Sequence, residues 1–353
     1  MEDHTLPVTV VVPGDLHLTR PDLENHRVGQ WVIDQVNEWI RPDFVQFIGD
    51  NVQDATAEQF RLFRGLTDGL RVPWFALVGD HDRHDDPDKL GHRTHVGHPY
   101  GSHVFRGFRF VRLDTQEAKP AGLSPGQVDW FRAEVAAAIG AGERVVVFQH
   151  NYPYQIWEDY TGPGIEAWRE IVQTRRIHTI VCGHTHYWQV ANDGRNAVVA
   201  VRSIGDPEGG PPGFLLAHFR GDEFAMTYRS IADAGPLVLV THPRSRMLAT
   251  GPAHVVRGRV RIGTRVWSTR PLVVVEARID DGPWVRLDWL VRDEWGGDVA
   301  GGEWTKGTHT VAAQARDISG EVGQQTIEFA VDPTGRYTAV PGVWPPVDRT
   351  NFC

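Results

Sequence analysis

Cysteine is almost missing from this chain: only Cys182 and Cys353 occur, far apart in sequence. That spacing gives no disulfide framework to read and is compatible with a reducing compartment. Cys182 sits in an apolar run and is expected to be buried. Lysine is nearly as scarce, with Lys89, Lys119 and Lys306 alone, so the basic charge is carried almost entirely by arginine. The formal net charge is -9 and no basic run occurs, so the electrostatic footprint of a duplex nucleic-acid binder is lacking. No apolar stretch approaches the roughly 20 residues of a membrane span. The opening MEDHTLPVTVVV carries acidic residues where a secretory leader needs positive ones, and its apolar run ends at Pro13. These absences predict a cytoplasmic protein that engages neither a membrane nor a nucleic-acid duplex.

What is present is ordinary globular material. The 353 residues are 41% hydrophobic and 23% charged, enough for a sizeable core and for about two domains at roughly 150 residues each. Short β-branched or aromatic runs at 8–12, 44–48, 74–78, 145–148 and 179–181 read as buried strands, each followed by polar residues rich in Gly, Asp and His. Between them, Val28, Trp31, Val32, Gln35, Val36 and Trp39 have helical spacing, as do residues 128–138 after the start signal Ser124-Pro125. Strands alternating with helices predict an α/β domain over residues 1–235 with functional groups at the strand ends. From 236 the texture changes to short alternating runs punctuated by Asp280-Asp281-Gly282, Gly301-Gly302 and Ser319-Gly320. That predicts an Ig-like β-sandwich over 236–333, followed by an extended arm or frayed tail over 334–353.

Five strand ends deliver the same kinds of side chain: Asp15 and His17 in GDLH, Asp50 in GDN, Asp80 and His81 in GDHD, His150 in QHN, and His184 and His186 in GHTH. Oxygen and imidazole donors without thiolate suit Mn, Fe, Zn or similar divalent ions. In GDLH and GHTH the paired candidates are separated by one residue, a spacing that puts both on one side of an extended strand end. The glycines before Asp15, Asp50, Asp80 and His184 permit a tight turn there. Even with His81 set aside, the seven remaining groups exceed what one tetrahedral ion needs and suit two ions about 4 Å apart sharing a carboxylate. Bound metals would also supply positive charge for a small phosphorylated substrate that the chain's overall charge does not favour.

The ordered set DxH, GD, a GDH followed by Asp, H and GHxH resembles the calcineurin-like metallophosphoesterases from about Thr9 to Tyr228. YGSHVFRGFRFVRLDT and LSPGQVDWFRAEV look like that family's hairpin, strand and following helix. The resemblance implies a four-layer α-β-β-α sandwich with a dimetal centre at its edge, followed here by the smaller all-β domain. It implies that Asp15, His17 and His186 hold one metal, Asp50 bridges, and Asp80, His150 and His184 hold the other. His81 would serve catalysis beside the substrate phosphate, with Asp82 orienting its ring. The pattern looks closest to the cyclic-nucleotide phosphodiesterase branch. The expected reaction is hydrolysis of a phosphate ester by hydroxide held between the metals, a 3′,5′-cyclic nucleotide being the leading diester. The alternatives are a phosphomonoester of a small metabolite and, from another class, a non-catalytic metal-binding regulatory protein. Asp80 stands where the family usually has Asn, adding negative charge to the second metal.

Around this set, residues 83–103 gather Arg83, His84, His92, Arg93, His95, His98, Tyr100 and His103, readable as a substrate lid or as a solvated loop. Tyr152, Tyr154, Trp157 and Tyr160 follow His150 and could stack on a base or simply pack the loop. Trp284, Trp289, Trp295 and Trp304 read as core or interdomain packing, and the β-domain as a homodimer surface or a cover for the site.

Overall fold

The computed structural model describes residues 6–153, 160–298 and 304–345. The chain begins β1 (Val8–Pro13), α1 (Glu24–Gln35), β2 (Phe44–Phe47), α2 (Ala57–Thr67), β3 (Trp74–Ala76), α3 (Leu90–His95), β4 (Gly101–Phe105) and β5 (Phe108–Arg112). It continues with α4 (Pro125–Ala141), β6 (Arg144–Gln149), α5 (Ile165–Thr174), β7 (Ile177–Cys182), β8 (Gln189–Asn192), β9 (Ala197–Ala200), β10 (Gly213–Arg220) and β11 (Glu223–Ser230). Helix starts follow local chemistry. The Ser124 hydroxyl accepts from the Gln127 amide at 3.2 Å ahead of Pro125 in α4, and that helix stops at left-handed Gly142.

Two mixed sheets result, ordered β11-β10-β1-β2-β3 and, with the late strand β20 (Gly342–Trp344) at its edge, β20-β8-β9-β7-β6-β5-β4. Alternation along the strands decides the layering. Val8, Val10 and Val12 of β1 join Phe108, Phe110, Val146, Phe148 and Val181 in a core between the sheets. Val11, pointing the other way, packs under α1 and α2 with Val28, Val32, Phe60 and Phe63. Val145 and Val147 of β6 face α4 and α5 through Phe131, Val135, Trp168 and Ile171. Each valine sealed in these layers contributes about 1.5–3 kcal/mol. The four-layer α-β-β-α order expected from the sequence is what forms.

The remaining strands are β12 (Leu237–His242), β13 (Arg261–Trp267), β14 (Leu272–Ile279), β15 (Val285–Arg286), β16 (Asp288–Val291), β17 (Glu294–Asp298), β18 (Gly307–Asp317), β19 (Val322–Val331) and β20 (Gly342–Trp344). Two four-stranded sheets, β12-β13-β17-β16 and β15-β14-β18-β19, close over Val238, Val240, Ile262, Val275, Val311 and Phe329. Short 3₁₀ turns at Arg246–Leu248 and Pro252–His254 interrupt this otherwise all-β region. The first sandwich strand serves both halves: Leu237 and Leu239 enter the helix-side core of the α/β half, Val238 and Val240 the sandwich core. Arg265 pins the junction, donating to Thr9 Oγ1 at 2.7 Å and reaching His218 Nδ1 at 3.0 Å.

One expectation is narrowed and one changes here. Residues 342–344 do not fray: β20 pairs antiparallel with β8 and extends the α/β sheet, while residues 346–353, including Cys353, lie outside the described residues. Trp295 and Trp304 pack on the sandwich core and Trp284 lies under Arg278, but Trp289 is 59% exposed on β16 and packs neither core nor junction. The turn at Gly301-Gly302 also falls outside the described residues. Among the described residues no helix is long and apolar enough to cross a membrane.

Two deeply buried histidines make the fold sensitive to acid. Burial pushes His92 down to about 3, and burial followed by Arg265 and Arg220 holds His218 well below its usual value. The unfolded chain takes up these protons below about pH 6.5 while the folded chain does not. Stability is therefore lost as pH falls from there toward 3, by up to about 1.4 kcal/mol per pH unit for each histidine. Thermal unfolding across pH 7 to 4 is expected to show a shallower acid limb in His92→Leu than in the wild type; equal slopes would contradict this.

Candidate dimetal centre

The loops after β1, β2, β3, β6 and β7 converge at one edge of the two sheets. They bring together two sets of ligand atoms, each set lying within 4.8 Å: Asp50, Asp80, His150 and His184, and His17, Asp50 and His186. Asp50 is common to both. His150 Nε2 stands 3.4 Å and His17 Nε2 3.7 Å from its Oδ2, an oxygen buried with no hydrogen-bond partner. Asp80 Oδ1 faces His150 Nε2 at 3.1 Å and His184 Nδ1 at 3.0 Å, and His17 and His186 bring their Nε2 atoms to 3.2 Å. Asp15 stands outside both sets. Its Oδ2 accepts from the His184 amide at 3.0 Å, while its buried Oδ1 has no hydrogen-bond partner and lies 3.7 Å from His150 Nδ1.

The backbone that aims these groups differs from an extended strand end. His17, Asp50, His184 and His186 all have positive φ, at 48°, 46°, 69° and 62°. Left-handed backbone in non-glycine residues is costly and is retained where surrounding structure over-determines it. Of the glycines preceding ligands, Gly49 is the one in left-handed conformation, at φ 99°. The others are required by crowding: a Cβ would meet Arg202 O at 1.9 Å from Gly14, Asp50 Oδ1 at 2.1 Å from Gly79, and Asp15 Oδ1 at 2.3 Å from Gly183. The expected tight-turn role therefore holds at Gly49, and close approach explains the rest.

Charge is what this cluster stores. Burial, opposed by His150, pushes Asp15 up to about 7. Burial lowers His17 to about 4 despite the Asp50 carboxylate. Burial also opposes ionisation of Asp50 and Asp80, yet the neighbouring imidazoles hold both below the usual carboxylate range. In return their charges hold His150 well above its ordinary value against complete burial. Crowded carboxylates with unpartnered oxygens, imidazole nitrogens and no thiolate fit hard or borderline divalent cations.

His81 lies edge-on to His17, ring centroids 4.7 Å apart, with its Nε2 4.0 Å from Asp80 Oδ2. Its orienting partner is not Asp82. The His81 Nδ1–H donates to the Gln53 carbonyl at 2.8 Å, and its amide donates to Asp50 Oδ1 at 2.9 Å. Asp82 is fully buried beneath, accepting from Asn51 Nδ2 at 2.8 Å, Gly79 N at 2.9 Å and Val52 N at 3.1 Å. Burial, then the Asp50 charge, pushes it up to about 7. It therefore ties the Asp80 loop to the Asp50 loop. Asp82→Ala leaves those donors without their acceptor at roughly 1–3 kcal/mol each. Calorimetry should show at least about 3 kcal/mol of destabilisation, with metal content reduced; unchanged stability would refute the tie.

The histidine-rich stretch is mostly structural. His103 stacks on Phe75 at 4.2 Å within β4, His92 is buried against Phe60, and His98 bonds the Tyr100 carbonyl. His84 stays beside the site, its ring stacked 6.4 Å from that of His81, while Arg83 donates to the Gln116 carbonyl. Tyr152 and Tyr160 are buried in the α4–α5 core rather than offered to a ligand, and Tyr154 and Trp157 lie outside the described residues. Sequence reasoning missed Asp206, 3.4 Å from His186 Nδ1, and Asn25, which fixes the His17 carbonyl at 2.6 Å. Neither carries a motif signal.

Comparison with known proteins agrees with this geometry. The chain is 24% identical over 163 residues to a probable glycerophosphodiester phosphodiesterase, GpdQ, of Arcobacter nitrofigilis, covering 41% of this chain and 57% of that protein. It is 20% identical over 205 residues to a probable cyclic nucleotide phosphodiesterase of Moraxella catarrhalis, covering 52% and 72%. The chain thus spans little more than half the length of the first of these relatives. In structure it is similar to a dimetal phosphatase from Danio rerio (TM-score 0.54, 15% identity, 63% of this chain and 96% of that one). It also resembles the purple acid phosphatase PPD1 of yellow lupin (TM-score 0.51, 13% identity, 64% and 52%). The sequence profile of the calcineurin-like phosphoesterases matches residues 8–188, just over half of the chain, and the chain belongs to that family.

Proposed function

We propose that this protein hydrolyses a phosphodiester with two divalent ions, Mn, Fe or Zn, a 3′,5′-cyclic nucleotide being the leading candidate substrate. The observation that carries the reading is Asp50, whose unpartnered Oδ2 is shared by two sets of ligand atoms. His17 and His186 would hold one ion and Asp80, His150 and His184 the other, with Asp50 between. Asp15 would complete the first set through its unpartnered Oδ1. When bound, such ions supply Lewis acidity and lower the pKa of water.

The remaining steps belong to the chain. His81, its Nδ1 proton committed to the Gln53 carbonyl, keeps Nε2 toward the site. Burial opposes its charge, but Asp50, the Gln53 carbonyl and Asp80 raise its pKa, so Nε2 can hold a proton for the leaving oxygen. Asp80 in place of the family's Asn adds a negative charge that strengthens cation retention and weakens attraction for an anionic ester. Naming of the two sequence relatives as diesterases favours a diester over a monoester. Turnover of bis(p-nitrophenyl) phosphate, cyclic AMP, a glycerophosphodiester and p-nitrophenyl phosphate tests this. Diesters should be preferred, and a preference for the monoester would replace the reading with a phosphomonoesterase.

A further inference from the structure

At the opposite ends of the strands that carry the metal ligands lies a cavity of about 470 Å³. The link between α5 and β7 lines it with Arg175 and Arg176, the β8–β9 turn with Arg195, the β10–β11 turn with Asp222, and the segment after β12 with Arg244 and His254. Six residues of β7 separate this end from the GHTH loop, about 20 Å at 3.3 Å per residue. In a chain of net charge -9, four guanidinium groups here face one carboxylate. That carboxylate is already engaged: Asp222 Oδ1 accepts from Arg144 Nε and Arg176 Nη2, both at 3.0 Å.

Arg244 is the informative residue. It is 4% exposed, and its hydrogen bonds go to carbonyl oxygens, Leu248 O at 2.9 Å and Asp222 O at 2.7 Å. Burial lowers its pKa to about 10, which still leaves it charged at neutral pH. Its hydrogen bonds go to neutral carbonyls, although the Glu223 and Asp222 charges act on it from nearby, and a buried cation on the cavity wall is further stabilised by an anion entering the cavity. Guanidinium forks match phosphate oxygens in geometry. The volume lies within the range of small-molecule sites, well above a bare phosphate, so it accommodates an organic portion too.

We propose that this cavity is a second, non-catalytic binding site for a phosphorylated small molecule, with Arg244 at its floor and Arg175, Arg176 and Arg195 at its rim. Phenylphosphonate, whose P–C bond a phosphoesterase does not cut, serves as the probe and is titrated calorimetrically into metal-loaded protein. Two binding events per chain are expected, one surviving in Asp50→Ala. The double variant R175E/R195E alters exposed rim positions and should weaken that surviving event about tenfold or more. It should leave p-nitrophenyl ester turnover within about twofold, because the metal centre is remote. Arg244→Met should lose the same event, the rim variant guarding against failure of this one to fold. The proposal is overturned if Asp50→Ala abolishes all binding, or if the rim variant keeps the wild-type isotherm.

Discussion

Asp50→Ala is expected to reduce bound metal from near two ions per chain to below one and ester turnover by roughly 10³-fold or more. The size of the effect follows from sharing. Asp50 Oδ2 lies 3.4 Å from His150 Nε2 and 3.7 Å from His17 Nε2, so one truncation takes an oxygen from both ligand sets. The same change removes the Oδ1 acceptor of the His81 amide, loosening the residue placed to move a proton. It also leaves four imidazoles, those of His17, His81, His150 and His186, without the charge that offsets their crowding. Elemental analysis beside activity separates this from simple unfolding, with Asp22→Ala, at an exposed and unrelated carboxylate, expected to match the wild type. Retention of two ions in Asp50→Ala would remove Asp50 from its bridging role.

His81→Ala is expected to do the converse, lowering turnover by about 10²–10³ while metal content is unchanged. His81 belongs to neither ligand set, yet its ring stands 4.7 Å from that of His17 and is held by the Gln53 carbonyl. If Nε2 protonates the leaving oxygen, the loss depends on how badly that oxygen needs a proton. It should therefore be largest for an alkoxide leaving group, as in a cyclic nucleotide, and smallest for p-nitrophenolate. An equal loss on both esters would restrict His81 to charge stabilisation, and full activity would exclude it from the reaction.

The positions of the candidate ligands were legible because each follows a strand whose apolar run is unmistakable: GDLH after β1, GDN after β2, GHTH after β7. The layering was implied by the family resemblance alone, because β1 is apolar on both faces, with Val11 meeting the helices and Val10 the facing sheet. How the ligands are aimed was not. Four of them occupy left-handed backbone held by tertiary contacts, and no local spacing encodes that. Gly14, Gly79 and Gly183 look like turn glycines in sequence but are required by atoms from Arg202, Asp50 and Asp15. The family resemblance implies that Asp82 orients the His81 ring; the 3₁₀ turn at His81–Arg83 sends the two side chains to different partners. His92 and His103 read as candidates for anion recognition because composition cannot distinguish a solvated histidine from one packed on Phe60 or Phe75. The pairing of β20 with β8, 150 residues apart, likewise leaves no local trace.

The central claim is a centre of two metals that cuts a diester. Its most direct test is elemental analysis of the purified wild-type protein on the same sample used for Mn-supplemented turnover of bis(p-nitrophenyl) phosphate and cyclic AMP. Near two ions per chain, with turnover that disappears on chelation and returns on adding metal, is the expected result. One ion or none, with no turnover of any ester, would contradict it and leave the Asp80-containing centre without the reaction assigned to it here.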